Sequence, residues 1–159
     1  NVAFGLMSAQ GLGRLEARKI AMKCLKQVGL KEDYAERFPD DISVGAQKRV
    51  GLARAIASEP EILFFDEPTT GIDPVIGDVI DKLIVKCVKK LGATALTITH
   101  DMESARRIGD RIAMIYEGKI VWVGDVNQID KSDNEFIDQF IHGRIDGPMS
   151  TLIAANEGR

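Results

Sequence analysis

The sequence predicts an α/β fold with a parallel sheet, and three of its features carry that expectation. Two short apolar runs, "ILFF" at 62–65 and "ATALTITH" at 93–100, have the β-branched and aromatic content of buried strands. Between them Ile76, Val79, Ile80, Leu83, Ile84, Cys87, Val88 and Leu91 recur at i, i+3, i+4 spacing, the mark of an amphipathic helix. Strand, helix and strand in that order make a parallel βαβ unit. Carboxylates and a histidine close the two strands, at the edge where open α/β sheets place their ligands.

The elements follow in chain order. Leu15, Ile20, Met22, Leu25 and Val28 have helical spacing, and Gly29 supplies a stop, so a helix is expected over 14–29. "LKEDYAERFPDD" at 30–41 reads as a polar connection or a broken helix ending at Pro39. Ser43 has the chemistry of an N-cap for a helix running to about Ser58, before Pro60. "EILFFDEP" is expected to be a strand buried on both faces. The amphipathic helix ends at Gly92, and a short helix over Met102–Ile108 follows the second strand. "RIAMIYEGKIVWVGD" alternates apolar and polar residues around Glu117-Gly118, the pattern of a β-hairpin. From Val126 the chain reads as helical and polar, loosening into "RIDGPMSTLIAANEGR". The expected division is 1–60, a helical subdomain; 61–125, a core of strands and helices; and 126–159, a terminal helix and tail.

Composition narrows the function classes. Hydrophobic residues make up 45% and charged residues 28% of the chain, as in globular domains with a core. A net charge of -3 gives no general pull toward nucleic acid or an anionic membrane, so an anion site has to be local. Cys24 and Cys87 have no metal-type spacing and read as reduced core residues of a cytosolic protein. No run approaches the roughly 18 apolar residues that span a bilayer, and no signal peptide is visible. The start, "NVAFGLMSAQGLG", lacks a methionine and begins on an apolar run, so the chain reads as the middle of a longer protein.

The chemistry concentrates in "LFFDEPTTGIDP". Asp66 and Glu67 sit where the first strand runs out, and successive strand residues point to opposite faces. One carboxylate there can hold Mg²⁺ through water while its neighbour faces a reacting centre. Beside a nucleotide γ-phosphate the second can take a proton from water or orient it. His100 follows the parallel strand, so the βαβ geometry can bring its imidazole beside the pair. The bland alternative is a carboxylate closing a strand and a Glu-Pro turn. Ser43 and Gly45 at a helix start form a potential anion site of their own.

"ISVGAQKRVGLARAIASEPEILFFDEPTTGIDP" followed by "TITHD" resembles the second half of an ABC-type ATPase nucleotide-binding domain, over nearly the whole chain. The resemblance implies a partial P-loop NTPase fold with a parallel sheet, an α-helical signature subdomain and a C-terminal β-hairpin plus helix. It implies ATP and Mg²⁺ as cofactors and ATP hydrolysis by the full-length parent. Asp66 resembles the Walker B aspartate that supports the metal, and Glu67 the catalytic glutamate. His100 resembles the switch histidine, which contacts the γ-phosphate. Asp73 resembles the D-loop aspartate, and Ser43, Val44, Gly45 and Gln47 occupy the signature motif.

The sequence departs from the family pattern in two ways. The signature usually has two glycines after its serine, and the first is Val44 here, which disfavours the positive-φ conformations that glycine allows. Ala46 precedes Gln47, which sets the glutamine one residue further on. No G-x-x-x-x-G-K-[ST] phosphate loop occurs anywhere, and "GLGRLEARK" does not substitute for one, being a loop and helix start. The chain thus holds half of a catalytic site and is not expected to bind ATP alone.

The ending, "DRIAMIYEGKIVWVGD" and then "EFIDQFIHGRIDGPM", resembles ATPases of Mla/Mce-type lipid transport. That resemblance implies a head-to-tail dimer with a second ATPase subunit. It also implies integral membrane permease subunits, a Mce-type substrate-binding protein, and a place on the inner face of a bacterial cytoplasmic membrane. Two alternatives remain: an ABC ATPase acting on ribosomes or nucleic acid, or a truncated fragment without ATPase activity. A pI near 5.4 with no basic surface disfavours nucleic acid as a partner.

Overall fold

A computed structural model describes residues 1–149. It divides into two compact units, the first Asn1–Ile108 and the second beginning at Gly109.

The first unit opens with helix α1, Val2–Ser8, which places Val2 and Leu6 in the core. Its apolar run had not been expected to be a helix; Val2 and Leu6, four residues apart and so on one helical face, are its buried positions. Helix α2, Arg14–Gln27, follows, and Gly29 leaves it at φ 76. The buried side of α2 is Ala17, Ala21, Cys24 and Leu25. Leu15, counted on that side from its spacing, is exposed instead, because at about 100° per residue it falls on the face opposite Ala17, Ala21 and Cys24. The polar connection resolves into two short 3-10 helices, Glu32–Glu36 and Pro39–Asp41.

Helix α3, Val44–Ile56, starts at an N-cap on Ser43, whose Oγ accepts a hydrogen bond from Ala46 N. Strand β1, Ile62–Asp66, leads into a turn and then helix α4, Pro74–Leu91. The Asp73 side chain caps α4 by accepting from Val75 N and Ile76 N, and Gly92 stops it in the left-handed region. Strand β2, Thr94–Ile98, pairs with β1 in parallel, with Phe64 opposite Leu96 and Asp66 opposite Ile98. Helix α5, Met102–Ile108, closes the unit. Its cap is Asp101, whose Oδ1 accepts from Glu103 N and Ser104 N.

The core lies among α1, α2, α3, α4 and one face of the sheet, with Leu63 buried and Phe65 packed against it. Cys24 and Cys87 are both buried free thiols of this core. The other face corrects the expectation of strands covered on both sides: Ile62, Phe64, Leu96 and Ile98 are all exposed, Phe64 by 74%. Among the described residues nothing is laid over that face, so the apolar run of β1 reflects a two-sided strand of which one side is open here.

In the second unit strand β3, Arg111–Tyr116, and strand β4, Lys119–Asp125, form the antiparallel hairpin. Glu117 and Gly118 both take positive φ, as a tight two-residue hairpin turn requires. A 3-10 helix, Val126–Lys131, leads to helix α6, Glu135–His142, capped by Asn134 and stopped by Gly143. Gln139, buried on α6, fastens the chain beyond it: its amide donates to Arg144 O and Ile145 O, and its oxygen accepts from Met149 N. Of the tail expected to loosen over 144–159, residues 150–159 lie outside the described residues.

Candidate functional site

Glu67 is the best-anchored group at the edge of the parallel sheet. It leaves β1 with φ 47, in the left-handed region that non-glycine residues seldom occupy. Strand alternation therefore does not set its direction, as the sequence reading assumed; a left-handed turn does. Its N–H donates to Ile98 O of β2 at 2.9 Å. Its Oε1 lies 2.8 Å from His100 Nδ1, and its Oε2 accepts from Thr70 Oγ1 at 2.6 Å. The βαβ unit thus brings Glu67 and His100 together across 33 residues of sequence. Thr70 was not anticipated, although "EPTTG" places a hydroxyl three residues after the glutamate, a spacing at which a turn can return it.

These contacts polarise the pair. The Thr70 hydroxyl first, and then His100, hold the Glu67 carboxyl below the usual carboxylate value. The hydrogen bond and charge of Glu67 push His100 above the usual histidine value. With Nδ1 committed to Glu67, the Nε2 edge of His100 remains for another acceptor, and the ring is 71% exposed. Asp66, at the end of β1, stands on the open face of the sheet in register with Ile98, and none of the hydrogen bonds that occupy Glu67 reach it. Among the described residues no three His, Cys, Asp or Glu side chains cluster as a metal cage. A single open carboxylate nonetheless suits Mg²⁺, which takes one or two carboxylates and fills its shell with water and phosphate oxygens.

Ser43, Val44, Gly45 and Asp73 line one concavity of about 530 Å³, where the N-termini of α3 and α4 meet. Lys31, Arg37 and Arg49 contribute cations to its wall, Arg37 being paired with Asp33, which also lines it. One detail fits it to an anionic ligand. Arg49 Nε is buried without a hydrogen-bond partner. A Cβ on Gly45 would come within 2.8 Å of Ile76 Cγ2, so only glycine lets the two helix ends approach. Val44 is the first residue of α3 and has no positive φ, so the substitution strains nothing; its side chain is half in solvent.

Gln47 is not brought to this concavity. Its amide nitrogen donates to Pro39 O and Ile42 O, holding the chain that enters α3. Lys48, which the sequence reading passed over, reaches the other way: its Nζ donates to the main-chain oxygen of Glu67 at 3.0 Å.

The chain is similar to known proteins along most of its length. The family model described as "ABC transporter" matches residues 5–70. The glycine betaine/proline betaine transport system ATP-binding protein ProV of Escherichia coli is 42% identical over 144 residues, which are 90% of this chain and 36% of that protein. The chloroplastic protein Trigalactosyldiacylglycerol 3 of Arabidopsis thaliana is 36% identical over 165 residues, 94% of this chain and 48% of that protein. A solved dimeric ATP-binding cassette in a post-hydrolysis state, bound to ADP and Pi, superposes with a TM-score of 0.64 at 36% identity, covering 72% of this chain and 49% of that one. The chain spans between about a third and a half of the length of these relatives.

Proposed function

We infer, from a chain that carries part of an ABC transporter ATP-binding domain, that Glu67, His100 and Asp66 form one half of an ATP-hydrolysing site in a transporter subunit. The carrying observation is the 2.8 Å contact between Glu67 and His100 at the open end of the parallel strands, next to the free carboxylate of Asp66.

Each residue has a distinct task in this reading. Asp66 would hold Mg²⁺ through water, and the ion supplies positive charge against nucleotide phosphates. Glu67 receives the attacking water; its lowered basicity favours orienting that water over taking its proton outright. His100 offers its Nε2 edge to a phosphate oxygen while Nδ1 keeps it aligned on Glu67. Ser43, Gly45 and the first turn of α3, with Val44 at its rim, present hydroxyl and N–H groups to a phosphate. Asp73, spent as the cap of α4, sets that helix end beside them. Gln47 supports the site by bracing the entry to α3.

The two groups of residues serve two nucleotides in a head-to-tail dimer: each subunit's α3 end faces the phosphates held by its partner. Permease subunits in the membrane would receive the resulting motion, which places the protein against the inner face of a bacterial cytoplasmic membrane. No helix among the described residues is long and apolar enough to cross a membrane, in keeping with a docked subunit.

For cargo we favour lipid, as in Mla/Mce-type systems with a Mce-type binding protein, on the ending "QFIHGRIDGP". The relatives' names place a betaine transporter and a protein named for a galactolipid side by side, so similarity leaves that choice to experiment. Phospholipid transfer by the reconstituted complex would support it; transfer of betaine alone would overturn it.

The decisive measurement is ATP turnover by the full-length protein with Glu67→Gln. Loss of turnover with retained ATP binding is expected, by about 100-fold or more for removal of a water-positioning group. Turnover at the wild-type rate would remove Glu67 from the mechanism.

A further inference from the structure

We propose that Lys48 is a positioning residue, tying helix α3 to the main chain of Glu67 and fixing where the Glu67 carboxylate points. The kinetic part of this proposal rests on the ATPase reading above; the structural part does not.

Glu67 occupies the left-handed region, at φ 47, and Pro68 follows it. A non-glycine residue stays there only where its surroundings fix both neighbouring peptide planes, and a following proline narrows the choice further. On the amino side the fixing bond is Glu67 N–H to Ile98 O at 2.9 Å, which continues the β1–β2 ladder. On the carboxyl side the Glu67 oxygen accepts from Lys48 Nζ at 3.0 Å. The other donor to that oxygen, Thr70 N, is 3.4 Å away and contributes less. Lys48 thus makes the shorter bond on that side, and its ammonium strengthens it. The bond is part-buried, so water competes with it less than on an open surface.

Its position on α3 gives the bond its consequence. Lys48 lies five residues beyond the Ser43 cap, about one and a half turns along the same helix. Ser43 and Gly45 line the concavity that faces an anion, while Lys48 grips the residue whose carboxylate meets His100. A shift of the α3 end is therefore transmitted to the Glu67 peptide through one side chain. The sheet holds the other side of that peptide still, so the shift turns the residue.

The test compares Lys48→Met, which keeps length and loses the donor, with Lys48→Arg, which keeps a cationic donor. In the full-length protein, amide hydrogen exchange read by NMR should quicken about tenfold at Glu67 and Thr70 in the Met variant, with Leu63 and Phe65 unchanged. The Arg variant should stay within about twofold of wild type. Unchanged exchange at Glu67 in the Met variant overturns the proposal. If the Met variant fails to fold, Lys48→Gln is compared with Lys48→Arg, and equal exchange at Glu67 in those two overturns it. In the full-length protein kcat should fall about tenfold in the Met variant with KM for ATP nearly unchanged, and the Arg variant should recover it. An unchanged kcat in an active parent overturns the catalytic part. A wild-type parent without ATPase activity would instead refute the proposed function, leaving the Lys48–Glu67 tie to be judged by exchange.

Discussion

His100 and Glu67 make the site's clearest pH signature. The His100 value is raised by Glu67, so the stability it adds is full below the ordinary histidine value and is lost as pH rises through the raised folded value. The Glu67 value is lowered, chiefly by Thr70, so its contribution is present above the ordinary carboxylate value and is lost as pH falls through the lowered one. The pair is strongest between those two limits. NMR titration of His100 should give a midpoint above the ordinary histidine value, returning toward it in Glu67→Gln; an unmoved midpoint would mean the contact is not kept in solution. Gly45 offers a second test. Gly45→Ala drives a methyl against Ile76 and should cost about 1–3 kcal/mol in a urea melt, with partial recovery on adding Ile76→Ala. Val44→Gly should leave the fold intact and, in the full-length dimer, change hydrolysis rate more than nucleotide affinity. An identical rate would make Val44 silent.

At the scale of elements, the start of α3 at Ser43 and the end of α4 at Gly92 were marked in the sequence because side chains act locally there. Ser43 and Asp73 cap the helices they precede, and Gly92 and Gly143 end theirs with positive φ. Removing either cap with alanine should cost about 1 kcal/mol. What joins α4 to α5 was not legible. Asp81, 0% exposed, accepts from Ser104 Oγ and from Arg107 Nη1, each at 2.8 Å. In sequence it is one polar residue within an apolar stripe, and its partners lie 23 and 26 residues away. Asp81→Ala leaves Ser104 Oγ without its acceptor and takes from Arg107 the closest of three carboxylates, Asp78 and Glu103 remaining, and should cost about 2 kcal/mol. Because α5 starts two residues after His100, loosened exchange at Asp101–Ser104 should accompany it; a neutral substitution would show the cluster to be incidental.

At the scale of the molecule, one sheet face decides how the isolated chain behaves. Ile62, Phe64, Leu96 and Ile98 form a contiguous apolar strip in water. The chain should therefore bind a hydrophobic dye and associate as its concentration rises. Phe64→Lys with Leu96→Glu should suppress both with little effect on the melting temperature, since those side chains are 74% and 56% exposed and the pair that replaces them is oppositely charged. With no phosphate-loop motif in its 159 residues, the chain alone should give no micromolar MgATP signal in titration calorimetry. Such a signal would mean that the α3–α4 concavity binds nucleotide unaided.

The sequence by itself determined the order of the elements from α2 onward, the Ser43 cap, the Gly29 and Gly92 stops, the parallel pair and the residues at its edge, because each depends on spacing within a few residues or on one βαβ rule. Tertiary structure decided the rest. It turned Glu67 out of the strand pleat, spent Gln47 on the loop entering α3, and sent Lys48 to the Glu67 carbonyl. It also left one side of β1 open. These outcomes depend on which distant groups pack together, and neither hydrophobic period nor propensity records that.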